Sequence, residues 1–388
     1  MARTYDAIVV GAGSVGVPSA YSLASRGLKV LVLDRRSAIG QGENKCAIGG
    51  VRATHSDPAK IVLCIRSLEV LTTWKEKYGE DIGWKPGGYC FPVYTEKLES
   101  TLRGLFPIQQ KYGLVNKWIS PDEVDELVPG INRKDLRGGT WSPNDGQVSP
   151  IVLPVVLMRH ALRMGAEFQV GERVTGYLQE GGAIRGVKTD KDTYLAPRVV
   201  VATGSDSAHD GEMLGIKIPV TPDVHEAGIT APLEHFIKPL VVDMRPGPEG
   251  KTLNFYFGQN HEGQIIFCYT PKPIILGQER HNSSEFLPIL AARMIDLVPR
   301  LRHMLVRRTW RGCYPMTPDG VPIIDNVESI KGLTLAVGMC GQGFMLGMGV
   351  GQEVASLSLD GKTSLPVEAH SAVKFARDFW AGKTEALK

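Results

Sequence analysis

Cysteine and histidine are scarce in this sequence and too scattered to signal a disulfide framework or a metal site. The chain has 388 residues but only six cysteines and nine histidines. No cysteines form a CxxC pair and no histidines form an HxxxH or HxH pair, which are common spacings in disulfide-exchange and zinc sites. We therefore predict no metal ion, and a reduced, cytoplasmic compartment.

Charge of one sign and long apolar runs are also missing. Lys and Arg total 44 against 41 for Asp and Glu, a balance that gives no reason to expect a nucleic-acid partner. No apolar run approaches the roughly 20 residues that cross a bilayer, since Pro154 interrupts the best candidate, 151–158. With 43% hydrophobic residues, the chain is predicted to be soluble, without a membrane span, and to form about two domains.

The first 34 residues carry the pattern of a βαβ unit. Short apolar runs at 7–10 and 30–33 predict two buried strands, and the apolar residues between them recur at helical spacing. A strand, a helix and a second strand within about thirty residues are typical of parallel pairing with a right-handed crossover. The fold class is therefore predicted as α/β with a Rossmann-like domain.

The turn inside that unit predicts a dinucleotide site. Gly11, Gly13 and Gly16 in GAGSVG stand in the GxGxxG spacing, directly after the strand and at the start of the helix. Glycines there let the backbone approach a pyrophosphate at a helix N-terminus. Asp34 ends the second strand, where a carboxylate can bind a ribose. The alternative is that the glycines serve only close helix–strand packing and that Asp34 is a solvated strand end.

Two later segments repeat the order of strand and then glycine. A strand predicted at 198–202 ends at Thr203 and Gly204. Another, at 333–337, leads into a glycine-rich turn over 338–343, and a helix is predicted over 351–359. Three separate segments of the chain thus share the order of strand and then glycine.

The remaining segments predict a second domain. Leu253, Phe255 and Phe257 alternate with the period of two that is typical of a half-buried strand. We expect an α+β domain on an antiparallel sheet, and a chain that passes between two discontinuous domains. The predicted divisions are 1–85, 146–219 and 309–388 for the Rossmann-like domain, and 86–145 and 220–308 for the other.

Two C-terminal motifs carry a resemblance to a known family. The segments WRGCYPMTPDGVPIID and AVGMCGQGFMLGMGVGQEV, together with ATG at 202–204, DGQVSP at 145–150 and HEAGIT at 225–230, resemble the D-amino-acid-oxidase-like (DAO) flavoproteins. Within that family the chain looks most like the branch with sarcosine oxidase and its beta subunit, glycine oxidase and dye-linked proline dehydrogenase. The resemblance implies FAD as cofactor, and a final helix that points its N-terminus at the flavin ring.

The resemblance and the N-terminal motif together assign a set of FAD contacts. They comprise the two glycine-rich turns, the end of the second strand and the loops between them: Gly11, Gly13, Ser14, Val15, Gly16, Asp34, Arg35, Lys45, Cys46, Gly49, Gly50, Val174, Thr203, Gly204, Gly338, Gly341, Gln342, Gly343, Phe344 and Met345. Cys313 lies one place later than the cysteine that links flavin in some members, and a buried unreactive thiol is the favoured interpretation of Cys46. Noncovalent FAD is therefore expected.

The candidate catalytic residues are Arg52, Tyr256 and Met345. Arg52 could form a fork for a carboxylate; a surface arginine paired with a nearby acid is the alternative. Met345 occupies the position where sarcosine oxidases have a lysine, so one carboxylate clamp of those enzymes is missing. His225, His261 and Tyr269 could also face substrate, although a structural role is the favoured interpretation for each.

The function implied by the resemblance is FAD-dependent oxidation of the C–N bond of an amino acid, with a secondary or N-alkylated amine such as proline, sarcosine or an opine-like compound. Either O2 or a dye, quinone or partner subunit could receive the electrons, so a hetero-oligomeric partner is one expectation. Two alternatives stay open at this point. One is a noncatalytic flavoprotein or assembly subunit, and the other is a 2-hydroxy acid dehydrogenase of the same fold.

Overall fold

The computed structural model describes residues 3–381, so the predicted domain ends at 1–2 and 382–388 lie outside the described residues. Within the described range the strands are β1 Arg3–Thr4, β2 Ala7–Val10, β3 Val30–Asp34, β4 Gly50–Val51, β5 Lys85–Pro86, β6 Tyr89–Val93, β7 Lys117–Ile119, β8 Gly138–Ser142, β9 Gly146–Gln147, β10 Glu167–Val170, β11 Val174–Glu180, β12 Ala183–Thr189, β13 Thr193–Leu195, β14 Val199–Val201, β15 Thr221–Pro232, β16 Leu240–Asp243, β17 Thr252–Gln259, β18 Gln264–Pro271, β19 Val306–Met316, β20 Ile323–Asn326 and β21 Leu333–Val337.

The helices in the same range are α1 Gly16–Ser25, α2 Pro58–Tyr78, α3 Glu96–Gly104, α4 Phe106–Lys111, α5 Pro121–Leu127, α6 Val152–Arg163, α7 Ser207–Leu214, α8 Phe286–Leu297, α9 Gly343–Asp360 and α10 Val367–Val373. Short 3-10 turns occur at Asn44–Cys46, Gly204–Asp206 and Pro299–His303.

A six-stranded sheet in the order β10-β3-β2-β14-β21-β20 forms the Rossmann-like part. Its strands are parallel except for the β20–β21 pair. The three strands that are followed by glycine turns, β2, β14 and β21, are neighbours. Their turns therefore meet at one edge of the sheet.

An eight-stranded sheet in the order β19-β15-β18-β17-β16-β6-β8-β7 forms the second part. Its pairs are antiparallel except β16 with β6. One face packs against α8 through Phe255, Phe257, Phe267 and other apolar residues. Leu253, in contrast, is exposed. The predicted α/β class with an antiparallel second sheet is confirmed.

The domain limits stay a prediction. The pairing of β19 concerns the limit predicted at 309. This strand pairs with β15 from Thr221 to Thr230, so residues 306–316 belong to the eight-stranded sheet. The predicted limit at 309 falls inside it.

Helix α9 begins at Gly343, so the predicted start at 351 is wrong. Its glycines misled the sequence interpretation because glycine is unfavourable inside helices in general. Here they permit close packing. A Cβ on Gly347 would collide with Ser14 O of the first glycine turn, one on Gly351 would lie 2.5 Å from Pro18 O in α1, and one on Gly349 would collide with Leu63 O in α2. The lost helix propensity is offset by this contact.

Among the described residues, no helix combines the length and apolar character needed to cross a membrane. The cytoplasmic location stays a prediction.

This packing generates a stability prediction. Gly351→Ala should lower the free energy of unfolding by about 1–3 kcal/mol, because the added methyl group forces the backbones of α1 and α9 apart. Gly104→Ala is the matched control, since Gly104 is an exposed helical residue with nothing within 4 Å of an added Cβ. It should be neutral or slightly stabilising. Urea unfolding of both variants checks this, and equal midpoints would contradict it.

Candidate active site

A long cavity lies between the glycine-turn edge of the six-stranded sheet and one face of the eight-stranded sheet. The turns after β2, β3, β14 and β21 line one part of it. Residues of β15, β17, β18 and β19 line the other. The cavity therefore combines segments from both ends of the chain, which the sequence analysis predicted to cradle one ligand.

The turn between β2 and α1 has the geometry of an anion site. Gly11 has φ +101°, and a Cβ on it would collide with Ala202 O. A Cβ on Gly13 would meet nothing within 4 Å, and Gly13 lines the cavity. Helix α1 has no side-chain N-cap bond and no acidic residue in its first turn. Its N-terminus is thus suited to a phosphate group.

Asp34 is held in place at the same end of the cavity. Its Oδ2 accepts a hydrogen bond from Ala12 N at 2.7 Å, and its Oδ1 accepts one from Arg36 N at 2.8 Å. A carboxylate has lone pairs to spare after these two bonds, so Asp34 could still accept from ribose hydroxyls. Arg35 also lines the cavity and forms an ion pair with Asp206 at 2.5 Å.

The start of α9 offers a second uncapped helix N-terminus. The N-cap residue Gln342 makes no side-chain cap bond, and the first turn of α9 contains no acid. Gly341 has φ +78°, and a Cβ on it would collide with the Tyr314 ring. The Oε1 atom of buried Gln342 has no hydrogen-bond partner among the described residues. These features suit a flavin ring that gains negative charge on reduction.

The loop after β3 passes between these two ends. Gly49 has φ +86°, and a Cβ on it would lie 2.5 Å from Val148 O. Cys46 donates from Sγ to Arg311 O at 3.3 Å, and burial is the main cause that raises the pKa of its thiol. This environment agrees with an unreactive thiol.

Most of the predicted FAD contacts line the cavity, but Gly16, Lys45 and Gly338 do not. Gly16 packs against Gly11 O, where a Cβ would collide. Lys45 donates from Nζ to Gln41 Oε1 at 3.2 Å, and a Cβ on Gly338 would lie 2.5 Å from Thr317 Cγ2. The two glycines permit close packing, and the exposed side chain of Lys45 lies on the surface, so these three residues do not line the cavity. The other predicted contacts line it and stay predictions as FAD ligands.

One face of the eight-stranded sheet supplies the opposite wall of the cavity. We call His225, Ala227, Tyr256, Cys268 and Tyr314 the cavity face, since all five line the cavity. The Tyr256 and Tyr314 hydroxyls are 2.5 Å apart, and Tyr256 also donates to Cys268 Sγ at 3.1 Å. Burial raises the pKa of Cys268 to about 12 and that of both tyrosines well above the usual value.

His261 and Tyr269, which were weighed as facing substrate, lie elsewhere. His261 is exposed and its Nε2 is 3.1 Å from Trp84 O. Tyr269 packs against Phe286 of α8. Both therefore have the structural role that the sequence analysis favoured.

Arg52 lines the cavity and is only 7% exposed, so the alternative of a surface arginine does not describe it. Its Nη1 donates to Thr54 O and lies 3.4 Å from His55 Nδ1. Its guanidinium carbon is 5.6 Å from the centre of the Phe91 ring. Met345, in the first turn of α9, also lines the cavity.

The sequence analysis missed Glu43 and Tyr314, which line the cavity, and Asp223, whose Oδ1 lies 2.8 Å from His225 Nε2. Glu43 accepts from Cys313 N at 2.6 Å and forms a two-pronged ion pair with Arg280. Tyr314 stands two places after Gly312 in β19, and this period-two spacing could have marked it as facing the cavity. The signals for Glu43 and Asp223 depend on distant segments of the chain.

Among the described residues, no group of three or more His, Cys, Asp or Glu side chains is placed to hold a metal ion.

The sheet order, the two uncapped helix ends and the anchored acid are typical of a dinucleotide-binding protein. The model of the family named DAO, FAD dependent oxidoreductase, matches residues 6–357. The chain belongs to this family, and it is accordingly an FAD-dependent enzyme. This confirms the resemblance and the cofactor inferred from sequence.

Solved structures and curated proteins extend the comparison. L-proline dehydrogenase from P. horikoshii is 33% identical, with a TM-score of 0.89 over 95% of this chain and 97% of that one. Glycine oxidase from Geobacillus kaustophilus shares the fold, at 23% identity and TM-score 0.83 over 95% and 98%. Bifunctional protein ThiO/ThiG from Nostoc sp. is 28% identical over 95% of this chain and 54% of its own. The chain thus spans about half the length of the curated relatives it matches.

Gly13 provides a test of the FAD site that does not depend on catalysis. Gly13→Ala should weaken FAD binding at least roughly tenfold, or about 1.4 kcal/mol, because the new methyl group occupies the space where a phosphate would approach. Gly176→Ala is the control, since a Cβ there also meets nothing within 4 Å. Isothermal titration of apoprotein with FAD measures the change. Equal affinities would contradict the assignment, and the stability of both apoproteins should change by less than about 0.5 kcal/mol.

The buried carboxyl group of Asp145, which feels the charge of Arg52, generates a pH prediction. Burial raises the pKa of Asp145 to about 7, against the lowering effects of the Ala53 N–H and Arg52. The folded protein then holds a proton that the unfolded chain releases above about pH 4. The free energy of unfolding should therefore decrease as pH rises from about 4 to about 7. In chemical unfolding, Asp145→Asn should remove this part of the pH dependence, whereas Asp122→Asn, at an exposed position, should leave it unchanged. Parallel curves of unfolding free energy against pH for the parent and both variants would refute the prediction.

Proposed function

We propose that the enzyme oxidises the Cα–N bond of an amino acid whose nitrogen is secondary or N-alkylated, such as proline or sarcosine. The proposal is carried by the match to L-proline dehydrogenase, at 33% identity over 95% of this chain. Sarcosine dehydrogenase from Homo sapiens, 24% identical over 96% of this chain and 41% of its own length, supports it further.

The cavity suits such a substrate. One end of the cavity, which we call the ring end, is formed by the start of α9. The apolar residues Leu240 and Val242 of β16 and the side chain of Tyr256 also line the cavity there. A few polar groups on an otherwise apolar surface are typical of small-molecule sites. Met345 places a thioether rather than a cation there. A carboxylate would then depend on Arg52.

The cofactor and the protein would contribute different parts of this reaction. When bound, FAD would supply the acceptor for the hydride that leaves the substrate Cα, and the imine product would hydrolyse in water. The protein orients the carboxylate through Arg52, excludes water with the cavity face, and stabilises negative charge with the N-terminus of α9.

Anaerobic mixing of the FAD-loaded enzyme with a panel of substrates tests the reaction. Proline, sarcosine or another N-alkylated amino acid should bleach the flavin absorbance near about 450 nm. Bleaching by 2-hydroxy acids but by no amine would replace this proposal with hydroxy-acid oxidation. The absence of bleaching by every compound would reject it.

Arg52→Lys tests the carboxylate clamp. The substitution keeps the charge but loses the two-pronged donor geometry, so KM should rise at least roughly tenfold, or about 1.4 kcal/mol, with a smaller change in kcat. Arg185→Lys is the control, because Arg185 is an exposed residue of β12 that pairs with Glu180. FAD content and melting temperature must match those of the parent enzyme. An unchanged KM would remove Arg52 from the substrate site.

Reoxidation by air separates the two electron-acceptor classes. Rapid return of the oxidised flavin spectrum would identify an oxidase. Slow return would identify a dehydrogenase, and the partner subunit expected from sequence belongs to that case.

A further inference from the structure

The segment TPDG, residues 317–320, belongs to a motif that carried the family resemblance, yet the proposed function gives it no task. It forms a turn between β19 and β20. Thr317 and Asp319 are only 4% and 7% exposed, and neither residue lines the cavity. Burial of a hydroxyl and a carboxyl group costs free energy unless both are hydrogen-bonded. Their partners therefore indicate what the turn does.

Arg377, which follows α10, forms a two-pronged ion pair with Asp319. Its Nε donates to Asp319 Oδ2 at 2.7 Å, and its Nη2 donates to Oδ1 at 3.0 Å. The two side chains are 9% and 10% exposed. The guanidinium also donates to Lys374 O and Val321 O. Burial opposes the charge of Asp319, but the pair with Arg377 keeps the pKa of this carboxyl group below its usual value. The fork geometry thus fixes a charged carboxylate in one direction.

Thr317 joins this ion pair to the glycine-rich turn at 338–343. Its Oγ1 lies 3.0 Å from Asp319 Oδ1 and 2.8 Å from Val321 O on one side, and 3.3 Å from Cys340 Sγ on the other. The Thr317 N–H donates to the same sulfur at 3.5 Å. Thr317 Cγ2 also occupies the space that a Cβ on Gly338 would need. Thr317 therefore contacts both the ion pair and the turn.

Cys340 has a backbone conformation that needs such support. Its φ is +52°, in the left-handed region that is unfavourable for a residue with a Cβ. Such conformations persist only where the surroundings hold them. Cys340 lines the cavity, as do Gly341 and Gln342, and α9 begins at the next residue. The direction of the first N–H groups of α9 thus depends on how this turn is held.

We propose that Arg377 is a positioning residue for the flavin ring, acting through Asp319 and Thr317 on the turn at 338–343. A helix N-terminus stabilises negative charge within about one turn, and its N–H groups must be held in place to do so. Because the flavin ring gains negative charge on reduction, the ion pair favours binding of reduced over oxidised FAD. This assignment rests on the family's FAD dependence and does not require a particular substrate.

The midpoint potential of the bound flavin tests the assignment without any substrate. Arg377→Gln should weaken the binding of reduced FAD at least roughly tenfold relative to oxidised FAD, because the N–H groups of α9 lose their fixed direction. For a two-electron couple, this change lowers the midpoint potential by about 30 mV. Anaerobic titration of the FAD-loaded protein with dithionite and a reference dye measures it.

Arg26→Gln is the matched control. Arg26 forms a two-pronged ion pair with Asp360, but this pair lies at the surface and neither residue lines the cavity. The substitution should leave the midpoint potential at the parent value. An ion pair with a merely structural role would likewise change the melting temperature and leave the potential unchanged.

A pair of substitutions at Thr317 tests the link itself. Thr317→Val keeps the methyl group against Gly338 and loses the hydroxyl, so it should lower the midpoint potential as Arg377→Gln does. Thr317→Ser retains the hydroxyl and should keep the parent potential. Both variants leave the ion pair in place, so Thr317→Val decides the question if Arg377→Gln does not fold.

Two results would overturn the assignment. One is a parent potential in Arg377→Gln and Thr317→Val, or in Thr317→Val alone where the other does not fold, at full FAD occupancy. The other is an equal decrease in Thr317→Val and Thr317→Ser, since the hydroxyl would then not be the connection. Bleaching by amines has no influence on either result, so the proposed function and this assignment can fail separately.

Discussion

The close contact between α1 and α9 is the constraint on which the rest of the site depends. Backbone atoms of Ser14 and Pro18 occupy the space that side chains on Gly347 and Gly351 would need. Because these helices come from opposite ends of the chain, their contact brings two helix N-termini to one cavity. Neither N-terminus has a side-chain cap bond or an acid in its first turn, so both keep a positive potential for an anionic group. The family's cofactor has negative charge at its pyrophosphate and, once reduced, at its ring.

The parts of the fold that could be predicted from sequence are those set by local patterns. Apolar runs at 7–10 and 333–337 gave strands with the bounds observed. The start of α9 was wrong because local propensity disfavours a helix with several glycines, and the compensation comes from α1 and α2, which are distant in sequence. Lys45 was predicted as an FAD contact because of its neighbours in the loop. The direction of a loop side chain depends on tertiary packing, which has no periodic pattern in the sequence.

The polar residues of the site divide in the same way. Gly13 and Asp34 could be identified because turn, helix and acid follow one another within a single βαβ unit. His225 and Tyr314 are brought together only by the pairing of β15 with β19, in which Asp223 lies opposite Tyr314 and His225 opposite Gly312. About ninety residues separate the partners in the chain, and cross-strand register over that distance has no local signal.

The residue at position 345 also affects how the cavity could hold a substrate carboxylate. Met345 removes a cation from the ring end of the cavity, where sarcosine oxidases have one. Met345 lines the cavity with a thioether, which cannot form an ion pair with a carboxylate. Under the proposed function, a substrate carboxylate therefore depends on Arg52, which is buried and lines the cavity.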